Sequence, residues 1–69
     1  KEIVSTFYDD DLIGLVFKNG SKDAAYTMEV YSTNGNLKFQ KDFNIPYTTI
    51  KMSDGYILMY NSSQIALYP

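Results

Sequence analysis

The stretch Tyr26-Thr27-Met28-Glu29-Val30-Tyr31-Ser32, followed by the turn residues Asn34-Gly35 and by Leu37-Lys38-Phe39-Gln40-Lys41-Asp42-Phe43, decides the fold class. Tyr26, Met28 and Val30 alternate with Thr27, Glu29 and Tyr31, which is the two-residue period of a strand with one face on a core. Asn and Gly both tolerate positive φ, so Asn34-Gly35 predicts a type I′ hairpin turn between the two runs. In the second run Leu37, Phe39 and Phe43 fall on one side and Lys38, Gln40, Asp42 and Asn44 on the other. Exposed lysines on such a strand suit a sheet edge, where charge opposes pairing with another chain. Pro46, which has no N–H for a ladder, ends it.

Outward from this hairpin, aromatic and β-branched residues recur in short runs broken by turn clusters about every ten residues, and no window carries the longer 3.6-residue period of a helix. Seven strands are predicted: Ile3–Phe7, Leu12–Phe17, Tyr26–Ser32, Leu37–Phe43, Tyr47–Met52, Tyr56–Tyr60 and Gln64–Tyr68. Leu12–Phe17 is apolar at nearly every position, as a central strand covered on both faces would be. Ser53-Asp54-Gly55 and Asn61-Ser62-Ser63 separate the last three strands tightly enough for consecutive hairpins.

Composition removes most chemistry. The 69 residues allow one small domain, and a chain of that size buries only about 60% of its unfolded surface. There is no Cys and no His, so disulfides, thiol catalysis, the usual zinc ligands and the usual neutral-pH acid–base group are all missing. Six Lys against eight Asp plus Glu, with no Arg, supply no basic stripe for nucleic acid. Apolar stretches of five or six residues are far below the roughly 20 that a membrane-spanning helix needs. Because residue 1 is Lys and no leader pattern precedes it, the segment is expected to be part of a longer chain.

The chain also compares with itself. At an offset of 43, Thr6 meets Thr49, Phe7 meets Ile50, Asp11 meets Asp54, Leu15 meets Leu58 and Phe17 meets Tyr60. At an offset of 37, Met28, Val30 and Tyr31 meet Ile65, Leu67 and Tyr68, so the first copy carries six extra loop residues around Gly20–Ala25. A period near 43 built of four short strands is that of a β-propeller blade. The expected fold is therefore all-β, with antiparallel four-stranded propeller-type blades in a first repeat over about 1–45 and an incomplete second over about 46–69. A small seven-stranded barrel or sandwich is the alternative.

The patterns EVYSTNGNLKFQ (residues 29–40) and IALYP (residues 65–69) resemble the third strand, turn and fourth strand of quinoprotein-like and WD-type propellers. The Gly-His and Trp-Asp pairs of WD repeats are absent. A further likeness is to uncharacterised propeller-like extracytoplasmic domains, membrane-anchored in Gram-positive bacteria, and it implies an extracytoplasmic or cell-surface setting.

Each candidate site has a simple reading. Asp9-Asp10-Asp11 is a dense carboxylate cluster, but consecutive residues point apart and the spaced loop of a Ca²⁺ site is missing, so it reads as a solvated turn. Gly20-Ser21-Lys22 ends like a phosphate loop without the first glycine or the helix. Ser5, Ser53, Ser62 and Ser63 have no histidine base. Asn19-Gly20-Ser21 and Asn61-Ser62-Ser63 match the N-glycosylation pattern, relevant only in a eukaryotic secretory setting. The seven Tyr could offer a flat binding surface for sugars or peptides, although packing accounts for most of them. The reading is a noncatalytic structural or interaction module with no catalytic, cofactor or metal residues. Its partners are protein or a second copy through sheet faces or edges, with no nucleic acid and no membrane insertion. The alternative is a glycan or cell-wall ligand-binding domain using exposed tyrosines.

Overall fold

The computed structural model describes residues 2–20, 22–46 and 49–69. Among these described residues seven strands follow in chain order: β1 (Glu2–Asp9), β2 (Leu12–Lys18), β3 (Tyr26–Ser32), β4 (Leu37–Phe43), β5 (Thr49–Ser53), β6 (Tyr56–Tyr60) and β7 (Ile65–Tyr68). They form two antiparallel meanders, a four-stranded sheet ordered β1-β2-β3-β4 and a three-stranded sheet ordered β5-β6-β7. The all-β expectation holds, and neither sheet closes into a barrel. The start of the fifth predicted strand, at Tyr47 and Thr48, lies outside the described residues.

Residues directly opposite in a ladder share a face, so the register gives both inner layers. In the larger sheet, Phe7, Gly14, Val30 and Phe39 form one inner row, and Ser5, Val16, Met28 and Lys41 the next. In the smaller sheet, Met52, Ile57 and Tyr68 form one row, and Ile50, Met59 and Ala66 the other. These layers meet in one core of Phe7, Val16, Met28, Val30, Met52, Ile57 and Met59, with Met28 and Met59 fully buried. The ring of Phe39 lies 6.3 Å from that of Tyr68, and Lys41 Nζ sits 5.4 Å from the Tyr68 ring centroid. An amine carried on a long apolar stem can occupy an inner position in this way, its stem on the core and its charge against an aromatic face.

Gly14 is required by this packing. A Cβ there would lie 2.1 Å from Phe7 Cζ, because the Phe7 ring lies across the bare backbone of the neighbouring strand. The glycine removes side-chain volume from one inner position and the ring fills it.

Three sequence expectations change. The Asn34-Gly35 turn is not type I′, since only Gly35 has positive φ (91°). Gly35 N–H donates to Ser32 C=O and Ser32 N–H to Asn36 C=O, giving a three-residue loop with glycine at its left-handed position. The type I′ requirement is met at Asp54-Gly55, with φ of 52° and 81°. The longer loop also puts a bulge at Lys38, between the pairs Val30–Phe39 and Tyr31–Leu37. Leu37 consequently moves to the outer face, where it is 48% exposed, instead of joining Phe39 and Phe43 inside. β2 is central as expected but covered on one face only, for Ile13 on its outer side is 44% exposed.

We predict that Gly14→Ala lowers the unfolding free energy by about 1–3 kcal/mol, the usual range for overpacking a filled core. Combined with Phe7→Leu it should cost less than the two single changes together. Urea unfolding of the two single variants and the double variant measures that coupling.

Candidate interaction surface

Every row that alternates with the inner layers faces away from the core. On the larger sheet one such row runs Tyr8, Ile13, Tyr31, Leu37 across all four strands, with Tyr8 80% exposed. Beside it run Thr6, Leu15, Glu29, Gln40 and then Phe17, Thr27, Asp42. On the smaller sheet, Lys51, Leu58, Leu67 and Thr49, Tyr60, Ile65 form outer rows, ending in Leu67 (60% exposed) and Ile65 (72% exposed). Both sheets therefore carry apolar side chains on two faces and bury one. Contiguous exposed apolar surface of this kind marks an interaction site more often than scattered single residues do.

Polar side chains on and around the larger sheet are tied into the fold. Asn19 Nδ2 donates to Ala24 C=O (3.0 Å) and to Thr27 Oγ1 (2.6 Å), and the buried Thr27 hydroxyl donates to Asp42 Oδ1 (2.8 Å). This chain pins the loop after β2 to β3 and β4, and it occupies the amide nitrogen that glycosylation at Asn19 would need. Ser21, in the same pattern and in the Gly20-Ser21-Lys22 stretch, lies outside the described residues. Asn61 uses its Oδ1 to accept from the N–H groups of Ser63 and Gln64, so its side chain shapes the β6–β7 turn. Tyr31 Oη donates to Glu29 Oε1 at 2.9 Å on the outer face. That hydrogen bond, helped by partial burial and by the carboxylate's charge, raises the Tyr31 pKa above its ordinary value of 10.0.

The remaining sequence candidates are dispersed. Asp10 turns the chain at φ 48°, Asp9 pairs with Leu12 across that turn, and Asp11 accepts through its backbone from Thr33 N–H. Among the described residues no three acidic side chains converge as cation ligands would. Ser5 lies on an inner row of β1, Ser53 ends β5, and Ser62 and Ser63 are exposed in the last turn. A cleft of about 420 Å³ opens where the sheets part, walled by the stacked rings of Tyr26 and Phe43 (5.4 Å, 15°) with Glu2 and Lys18 at its mouth. No helix is long and apolar enough to cross a membrane among the described residues.

These features define a small two-sheet β module. The chain belongs to a family of unknown function, DUF5711, whose model matches residues 1–69. No curated protein and no solved structure matches it significantly.

Tyr31 should ionise above the usual tyrosine range in the folded chain. The stabilisation from its hydrogen bond is then fully present below about pH 10 and is lost as pH rises through the raised value. Glu29→Gln should bring Tyr31 back toward 10.0, which an ultraviolet tyrosinate titration compared with the parent chain would register.

Proposed function

We propose that this chain is a noncatalytic, propeller-type structural module whose sheets stack face to face with further sheets of the same kind. The carrying observation is the outer row Tyr8, Ile13, Tyr31, Leu37, which is apolar across the whole width of a sheet whose other face is already buried. Propeller blades have this construction, because each needs cover on two faces and a closed ring takes four to eight of them.

Two further features support the reading. Leu15 and Leu58 both lie on the second strand of a meander and on its outer face, as repeats of one unit would place them. The register also puts Glu29 and Asp42 on the outer face of the larger sheet and Lys51 on that of the smaller. Stacking would then run head to tail, the outer face of one copy's larger sheet on the outer face of another's smaller sheet. Contacts of that heterologous kind build rings or open stacks rather than dimers alone.

Sedimentation velocity tests this. The chain should form assemblies larger than dimers as its concentration rises, and Ile13→Lys or Leu58→Lys should abolish them while leaving the β circular dichroism spectrum in place. A concentration series in which those lysine variants behave like the parent chain would count against stacking.

The exposure of Tyr8 supports a second reading, a glycan or cell-wall ligand-binding surface. An aromatic ring standing clear of a sheet can stack on a sugar face. Under this reading Tyr8→Ala removes binding on a glycan array without changing the fold, and an array with no signal from the parent chain excludes it.

A further inference from the structure

The two sheets present four edge strands, and three of them are guarded. β1 has an extra residue at Val4 and lies alongside β5 of the other sheet, β4 carries Lys38, Lys41 and Asp42 and is bulged at Lys38, and β5 has Lys51 at its middle and β1 beside it. Charges, bulges and covering elements are the usual means of keeping an edge from pairing. β7, Ile65-Ala66-Leu67-Tyr68, is short and has Lys41 of β4 against the ring of Tyr68, but its register with β6 is unbroken and it contains no charged residue of its own.

The direction of its free backbone groups follows from the turn. Asn61 N–H donates to Gln64 C=O, so Asn61 and Gln64 are a hydrogen-bonded pair of the antiparallel ladder. Hydrogen-bonded and non-hydrogen-bonded pairs alternate. Met59–Ala66 and Ile57–Tyr68 are therefore bonded pairs, and Ile65 and Leu67 turn their N–H and C=O groups to the open edge. The same two residues carry the most exposed aliphatic side chains of the smaller sheet.

We propose that β7 pairs antiparallel with β7 of a second copy of this chain, about a two-fold axis through Ala66. The register is set by parity. Centring on Ala66 places Ile65 opposite the partner copy's Leu67, and both are edge-facing, so each can give and accept a hydrogen bond with the other. Inner residues then meet inner residues, and outer meet outer, across a continuous six-stranded sheet. Ala66 faces its own counterpart, and its small side chain lets two inner positions approach at the non-hydrogen-bonded spacing of about 4.5 Å between Cα atoms. Identical edges pairing antiparallel form a closed, isologous contact, which stops at two copies, unlike the face stacking proposed above.

The test separates the two kinds of contact. In an Ile13→Lys background, or Tyr8→Lys if that variant folds poorly, face stacking is blocked and sedimentation equilibrium should find a dimer. Adding Ile65→Pro should weaken that dimer roughly tenfold or more, since it removes a hydrogen-bond donor from each copy. The substitution spares the folded monomer, because the Ile65 N–H is not used within it. Ala66→Cys gives a chain without other cysteines a single thiol at the proposed axis, within the Cα separation a disulfide spans. Under mild oxidation it should cross-link to dimer much faster than Leu37→Cys. A background chain that stays monomeric, or an Ala66→Cys chain that cross-links no faster than Leu37→Cys, would overturn the proposal, whatever the outcome for face stacking.

Discussion

The contact on which the molecule depends is the Phe7 ring lying over the backbone of Gly14. A flat aromatic side chain can reach across to the next strand only where that strand offers no Cβ, and at 2.1 Å even a methyl group would occupy the ring's place. With the ring seated there, the inner row Phe7, Gly14, Val30, Phe39 presents an even layer to the smaller sheet. Met28 and Met59, unbranched and adaptable, fill the space between the layers. The rest of the inner surface is arranged around these few groups, because a chain this short has little apolar area to spare.

The same shortage explains the character of the outside. Two sheets can cover one another on one face each, so a chain with apolar residues on both faces of β2 and β6 must leave some exposed. The exposed set is ordered, since ladder register lines Tyr8, Ile13, Tyr31 and Leu37 into a single row. Some of the polar side chains pin loops, as in the Asn19–Thr27–Asp42 chain. The outer face and the β7 edge meet at Ile65 and Leu67, whose side chains lie in the outer rows of the smaller sheet.

Comparison of the two sheets shows where a sequence repeat and a structural one diverge. Paired by buried positions, Gly14 and Val16 correspond to Ile57 and Met59, the offset of 43 read from the sequence. On the third strands the same pairing matches Met28 with Ala66, an offset of 38 rather than 37. Along a strand a one-residue difference moves every side chain to the opposite face. The similarity of Met28 and Val30 to Ile65 and Leu67 therefore joins residues that point inward in one sheet and outward in the other.

From sequence alone the strand content, the number of strands, their meander order and the edge position of β4 were legible, because alternation, turn residues and charge are local signals. Which face each residue takes was less so. Leu37 looked like a partner of Phe39 until the three-residue loop at Gly35 placed a bulge at Lys38, and the type I′ turn belonged to Asp54-Gly55 instead. The need for glycine at position 14, the outer apolar row and the open edge of β7 emerge only from the tertiary structure. Each depends on what lies opposite across a ladder or across the core, and residues far apart in the chain supply it.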